Sequence, residues 1–128
     1  MNILFVCKHN RFRSKVSEAF FKKFNKNKKY KIKTAGIIVG NPISKELKKI
    51  VRNYGIKLKS KPRPITSKLL KWQDKIIIVA DNVPKSFFKN KKVEVWKIRD
   101  AGIKEKRKIK KSILQIENKV KRLVRGFN

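Results

Sequence analysis

Ile3-Leu4-Phe5-Val6-Cys7-Lys8-His9-Asn10-Arg11-Phe12-Arg13-Ser14 is the stretch from which the rest of the chain can be read. Ile3 to Val6 is apolar without alternation, the pattern of a strand covered on both faces. Helical spacing begins after Ser14, where Val16, Ala19, Phe20 and Phe24 share one face. Glu18 lies in the first turns, where the helix dipole favours an anion. Cys7 to Ser14 therefore links a buried strand to a helix N-terminus, in the form Cys-x5-Arg-Ser. A thiol placed there faces free backbone N–H groups and the positive end of a dipole, and both favour the nucleophilic thiolate. Arg13 offers a planar fork for two phosphate oxygens, and the amides of Lys8, His9, Asn10, Arg11 and Phe12 can hold the others. Ser14 is placed either to hydrogen-bond the sulfur or to cap the helix. Asn10 suits a left-handed turn. A lone cysteine after a buried strand is usually an inert core residue, so the case for chemistry rests on Arg13-Ser14 at this spacing.

Working outward, Lys29 to Thr34 alternates Tyr30 and Ile32 with lysine and reads as a second strand, ended by Ala35-Gly36. Ser44 to Tyr54 reads as a helix with Leu47, Ile50, Val51 and Tyr54 inward, and Gly55 suits its left-handed end. Lys61-Pro62-Arg63-Pro64 is an extended break. A short helix to Trp72 follows, with Thr66 as its cap. Lys75 to Ala80 is the most apolar strand, Pro84 leads into another short helix, and Val93 to Trp96 is a fourth strand. Ile109, Ile113, Ile116, Val120 and Leu123 mark a last helix stopped at Gly126. Strands alternating with helices predict an α/β three-layer sandwich, a four-stranded parallel sheet with helices on both faces and right-handed crossovers, as one domain over 1–128. In such a sheet the loops after Cys7, Ala35, Asp81 and Lys97 open onto one edge, where ligands bind. Asp100 reaches that edge, unless it merely pairs with Arg99. Asp81 reads as a helix cap or loop organiser rather than a catalyst, and His9 as solvent-facing. Trp72 and Trp96 read as packing residues.

The composition bounds the alternatives. Lys and Arg number 38 against 8 Asp and Glu among 128 residues, a formal charge of +30. Ile, Val, Leu and Phe together number 41, well above the roughly one-fifth below which disorder is the better reading. One Cys and one His exclude an intramolecular disulfide and a structural zinc site. No apolar run approaches the roughly 20 residues of a membrane span. The N-terminal apolar stretch lacks the basic lead of a signal peptide, so no membrane insertion and a cytoplasmic monomer or small oligomer are expected. Seven lysines fall between Lys22 and Lys33, and Lys104 to Lys111 is almost wholly basic. These runs read mainly as a compositional bias on solvated faces, with non-specific polyanion binding expected at low salt.

The loop resembles that of the low-molecular-weight protein tyrosine phosphatases and the arsenate reductases that share their fold. That pattern is Cys-x-Gly-Asn-x-x-Arg-Ser followed by a helix with Ala-Glu-Ala. Cys7, Asn10, Arg13, Ser14 and Ser17-Glu18-Ala19 match it. Thr34-Ala35-Gly36, Lys61 to Thr66, Asp74 to Asp81 and Trp96 to Asp100 resemble later blocks of the family, in order. The resemblance implies that Cys7 attacks phosphorus, that Arg13 and the loop amides hold the oxygens, and that Asp100 is general acid and then base, with no metal or other cofactor. The implied substrates are a phosphorylated protein or small phosphomonoester, with inorganic phosphate or another oxyanion also held in the loop. Departures are clear: His9 replaces the glycine, Phe12 a second cysteine, and Ala101 the proline after the acid. Gly102 and Ile103 stand where tyrosines often follow, and Ile37-Ile38 where an aromatic is common. A single-cysteine arsenate reductase using an external thiol is an alternative. So is an inactive phosphate-loop domain binding nucleic acid or other polyanions.

Overall fold

The computed structural model describes residues 1–58, 61–89, 91–102 and 104–127. Ile103 of the sequence reading lies outside the described residues. Four strands, β1 (Asn2–Cys7), β2 (Lys31–Gly36), β3 (Lys75–Val79) and β4 (Val93–Trp96), form one parallel sheet in the order β2-β1-β3-β4. Four α-helices, α1 (Arg13–Phe24), α2 (Lys45–Arg52), α3 (Ser67–Trp72) and α4 (Lys106–Arg125), alternate with them. The short helix after Pro84 is a single 3-10 turn, Lys85–Phe88.

The continuous apolar strands are explained by two cores. Ile3 and Phe5 of β1 and Ile77 and Val79 of β3 face α1, α2 and α4, meeting Val16, Phe20, Leu47, Val51, Ile113 and Ile116. The alternate residues Leu4, Val6, Ile76 and Ile78 face the other way, onto Leu69 of α3, Val83 and Phe88. Side chains alternate across a strand, so a strand apolar at every position must be covered twice. Trp96 is buried against Phe5 as a packing residue, as expected.

Boundaries follow local chemistry. Ser44 and Thr66 cap α2 and α3, accepting from the amides of Leu47 and Leu69 at 3.1 Å each. Gly55 takes φ +74° beyond α2, as its position requires. β2 runs two residues further than its alternation indicates, because Ala35 and Gly36 continue the ladder opposite Val6 and Cys7. Among the described residues no helix is long and apolar enough to cross a membrane.

The strand order positions the site. The chain leaves β1 for β2 on one side and returns to β3 on the other, so a crevice opens above the carboxyl ends of β1 and β3. Cys7 is the last residue of β1, beside Gly36. Asp81 and Asp100 follow β3 and β4 at the same edge.

Candidate active site

The loop from Lys8 to Phe12 is held from outside through its carbonyls. The amides of Ile37, Ile38 and Gly40 donate to the carbonyls of Cys7, Lys8 and His9 at 3.2, 2.9 and 3.2 Å. The loop's own amides, Lys8 to Phe12, donate to no protein acceptor among the described residues. A loop whose amides are open beside a helix N-terminus is a cradle for an anion. Asn10 supplies the turn, with φ 54°. It is the only non-glycine with positive φ among the described residues, so His9 sits in the family's glycine position without left-handed strain.

Gly36 packs directly beneath this loop. A Cβ there would lie 2.8 Å from the backbone of both His9 and Asn10. Gly36→Ala is therefore expected to destabilise the protein by about 2 kcal/mol, read as a lower urea midpoint. An unchanged midpoint would show that the loop yields freely.

The partners of Asn10, which lies next to the thiol's neighbour Ser14, fix the direction of its hydrogen bonds. The backbone N–H of Arg63 only donates, so the Asn10 atom 3.0 Å from it is Oδ1. Asn10 Nδ2 then faces Ser14 Oγ at 2.7 Å and donates to it. Ser14 Oγ also lies 3.0 Å from Cys7 Sγ, a contact in which either atom can donate, and its hydrogen is not used on Asn10. Of the two readings of Ser14, the structure corrects the helix cap: Phe12 occupies the N-cap, and Ser14 is buried in the first turn with its hydroxyl on the sulfur.

Arg13 is 2 % exposed yet reaches the mouth of the site. Its Nη1 donates to the Ile98 carbonyl at 3.0 Å and lies 3.5 Å from Asp81 Oδ1. Its Nη2 lies 4.0 Å from Asp100 Oδ2. The loops after β3 and β4 thus aim a guanidinium that springs from the loop after β1. Asp81 is the loop organiser that its position suggested. Asp100 is half-exposed and accepts at Oδ1 from the Ala101 amide at 3.0 Å. It faces Arg13 rather than pairing with Arg99.

Cys7, Arg13 and Asp100 border one cavity of about 240 Å³, walled also by Ser44, Leu47 and Ile109. His9 and Arg11 line it as well. His9 Nδ1 sits 3.1 Å from the Ile38 carbonyl, so that nitrogen carries the proton and the ring is tied to the neighbouring loop. Phe12 touches the cavity but is mainly a core residue, 7 % exposed. Lys8 contributes its carbonyl and does not line the cavity.

Four residues at or beside the site were not legible as such. Arg63 fixes Asn10 with its amide and donates from Nε to the Thr34 carbonyl at 2.9 Å, yet nothing local marks it. Ser44 and Leu47 wall the cavity from a helix assigned only to packing. Lys15, in the first turn of α1, is 2 % exposed with Nζ 3.3 Å from Thr34 Oγ1. Burial holds its ammonium below the usual lysine range, with Glu18 opposing the shift.

The comparisons agree with this geometry. The family model for low molecular weight phosphotyrosine protein phosphatase matches residues 2–102. No curated protein matches the sequence. Among solved structures, arsenate reductase from Archaeoglobus fulgidus is similar at 28 % identity, covering 95 % of this chain and 98 % of its own, with TM-score 0.80. The low molecular weight protein tyrosine phosphatase from T. tengcongensis shares 21 % identity over 99 % of both chains, TM-score 0.82. Vibrio vulnificus Wzb, solved with benzylphosphonate, shares 18 % identity over 98 % of both, TM-score 0.84. A loop of open amides at the carboxyl edge of this sheet, and a family match from the first strand past Asp100, lead to one conclusion: the chain belongs to the low molecular weight phosphotyrosine protein phosphatase family.

Proposed function

We propose that Cys7, Arg13 and Asp100 hydrolyse phosphomonoesters on this site, with phosphotyrosine in a protein or a small aryl phosphate as substrate. The observation that carries the proposal is the convergence of the three side chains on one cavity, with Ser14 Oγ 3.0 Å from the sulfur. In the first step Cys7 Sγ attacks phosphorus in line, a P–S bond forms and the ester P–O bond breaks. Asp100 gives its proton to the leaving oxygen. In the second step Asp100 takes a proton from water as that oxygen attacks phosphorus. The P–S bond breaks and inorganic phosphate leaves. Arg13 and the loop amides hold the equatorial oxygens through both steps. The Ser14 hydroxyl stabilises sulfur as nucleophile and again as leaving group. The free thiol this chemistry needs suits a reducing, cytoplasmic compartment.

The test is leaving-group dependence. Asp100→Asn is expected to lower kcat/KM for phenyl phosphate by about a hundredfold. The loss with p-nitrophenyl phosphate should be much smaller, because that leaving group departs without a proton. Equal losses on both substrates would remove Asp100 from the acid role.

Arsenate reduction is the second reading, favoured by the 28 % identity to an arsenate reductase. Cys7 is the only cysteine, so this chain would need an external thiol to carry the electrons. Arsenate-dependent consumption of added thiol, without aryl phosphate turnover, would replace the phosphatase reading.

A further inference from the structure

The anion-binding loop holds two arginines, and they are treated very differently. Arg13 is packed away and its head is bound by a carbonyl and flanked by two carboxylates. Arg11 lines the same cavity without any such partner. Its one hydrogen bond among the described residues is a long one, from Nη2 to the Pro42 carbonyl at 3.4 Å. Its Nε is closed off from water and meets no acceptor among the described residues. No carboxylate there lies within ion-pair distance of it, although Asp100 stands on the same cavity. A guanidinium left with unmade hydrogen bonds is costly, and an acceptor that reaches it recovers that cost.

Its stem is nevertheless confined. Gly40 lies against the Arg11 stem so closely that a Cβ there would be 2.4 Å from Cδ and 2.7 Å from Cγ. Gly40 is itself tied to the loop through the His9 carbonyl. Only a residue without a side chain leaves room for Arg11 to lie this way, along the wall of the cavity. The cation is thus held two residues from Arg13, beside the phosphoryl cradle and not inside it.

We propose that Arg11 forms a second anion subsite, so that the preferred substrate is a phosphomonoester carrying another oxyanion, a carboxylate or a second phosphoryl group, near the ester. This rests on the phosphatase reading for the identity of the first group. The second group draws the guanidinium off the Pro42 carbonyl into the cavity, and supplies the acceptor that Nε lacks and a shorter one for Nη2. That side-on edge is the geometry in which arginine grips a carboxylate or phosphate with two parallel bonds.

The test compares binding of benzylphosphonate, its 4-carbamoyl and 4-carboxy derivatives, and 1,4-bis(phosphonomethyl)benzene. Calorimetry on the full chain at about 150 mM salt screens the general field of the lysines beyond a Debye length of about 8 Å. Wild type is expected to bind a dianionic-plus ligand about tenfold more tightly than the uncharged amide, and the better of the two names the second group. In Arg11→Leu that ratio should fall to within about twofold of unity, and Arg11→Lys should restore part of it. A wild-type ratio near one overturns the proposal without any variant. A ratio that survives in Arg11→Leu also overturns it, because the cationic surface at large then accounts for the preference. Loss of all phosphonate binding in wild type does the same. The two readings fail separately: a charge preference without aryl phosphate turnover strikes the phosphatase reading, and turnover without a preference strikes the subsite.

Discussion

Replacing Cys7 with Ser is expected to abolish phosphate release from p-nitrophenyl phosphate, by about ten-thousandfold or more. The nucleophile the proposed reaction needs is sulfur, 3.0 Å from Ser14 Oγ, whose hydrogen is not used on Asn10. A serine oxygen placed there would need a base to take its proton and is a far weaker nucleophile. The packing cost is small, because the replacement is nearly isosteric at the end of a buried strand. Inorganic phosphate should still bind, since Arg13 and the loop amides are untouched. Steady-state rates in metal chelator, with phosphate affinity measured alongside, check both halves. A variant retaining a tenth of the wild-type rate would overturn the assignment of the nucleophile.

Arg13→Lys should lower kcat/KM by about a thousandfold, the second largest effect. A lysine keeps the charge and loses the fork. The guanidinium uses one nitrogen on the Ile98 carbonyl and Asp81 while its other reaches toward Asp100. That division keeps a donor facing the phosphoryl oxygens while the head is anchored from behind. An ammonium has one nitrogen and cannot serve both directions. The Ile98 carbonyl keeps its bond from the Asp81 amide at 3.0 Å, so the melting temperature should fall only slightly while the activity falls steeply. Phosphate binding by calorimetry separates the causes: a folded variant that binds phosphate weakly supports the clamp. A kcat/KM within tenfold of wild type would show that the loop amides suffice.

Much of the architecture was legible because each layer leaves a local mark. Unalternating strands such as Ile76-Ile77-Ile78 announce cover on both faces, and two separate cores supply it. Ser44, Thr66 and Gly55 announce helix ends through chemistry that involves only their neighbours. The placement of Cys7, Asp81 and Asp100 on one edge followed from parallel topology alone, across a separation of 93 residues in the case of Cys7 and Asp100. The charge was legible as a number, and it said little about the site, whose decisive contacts lie among buried groups.

What the sequence by itself determined is therefore the sheet, its two-sided cover, and a thiol and an arginine at a helix N-terminus. Those depend on periodicity and on spacing within one loop. Only the tertiary structure decided how the loop's polar groups are used. Ser14 serves the sulfur rather than the helix end because Asn10 is oriented by the amide of Arg63, 53 residues away. Asp81 came to lie beside Arg13, and Arg11 Nε was left without an acceptor among the described residues, according to which strands came to lie side by side. Hydrogen bonds between distant segments are set by the three-dimensional register of the strands. No local pattern of residues encodes that register.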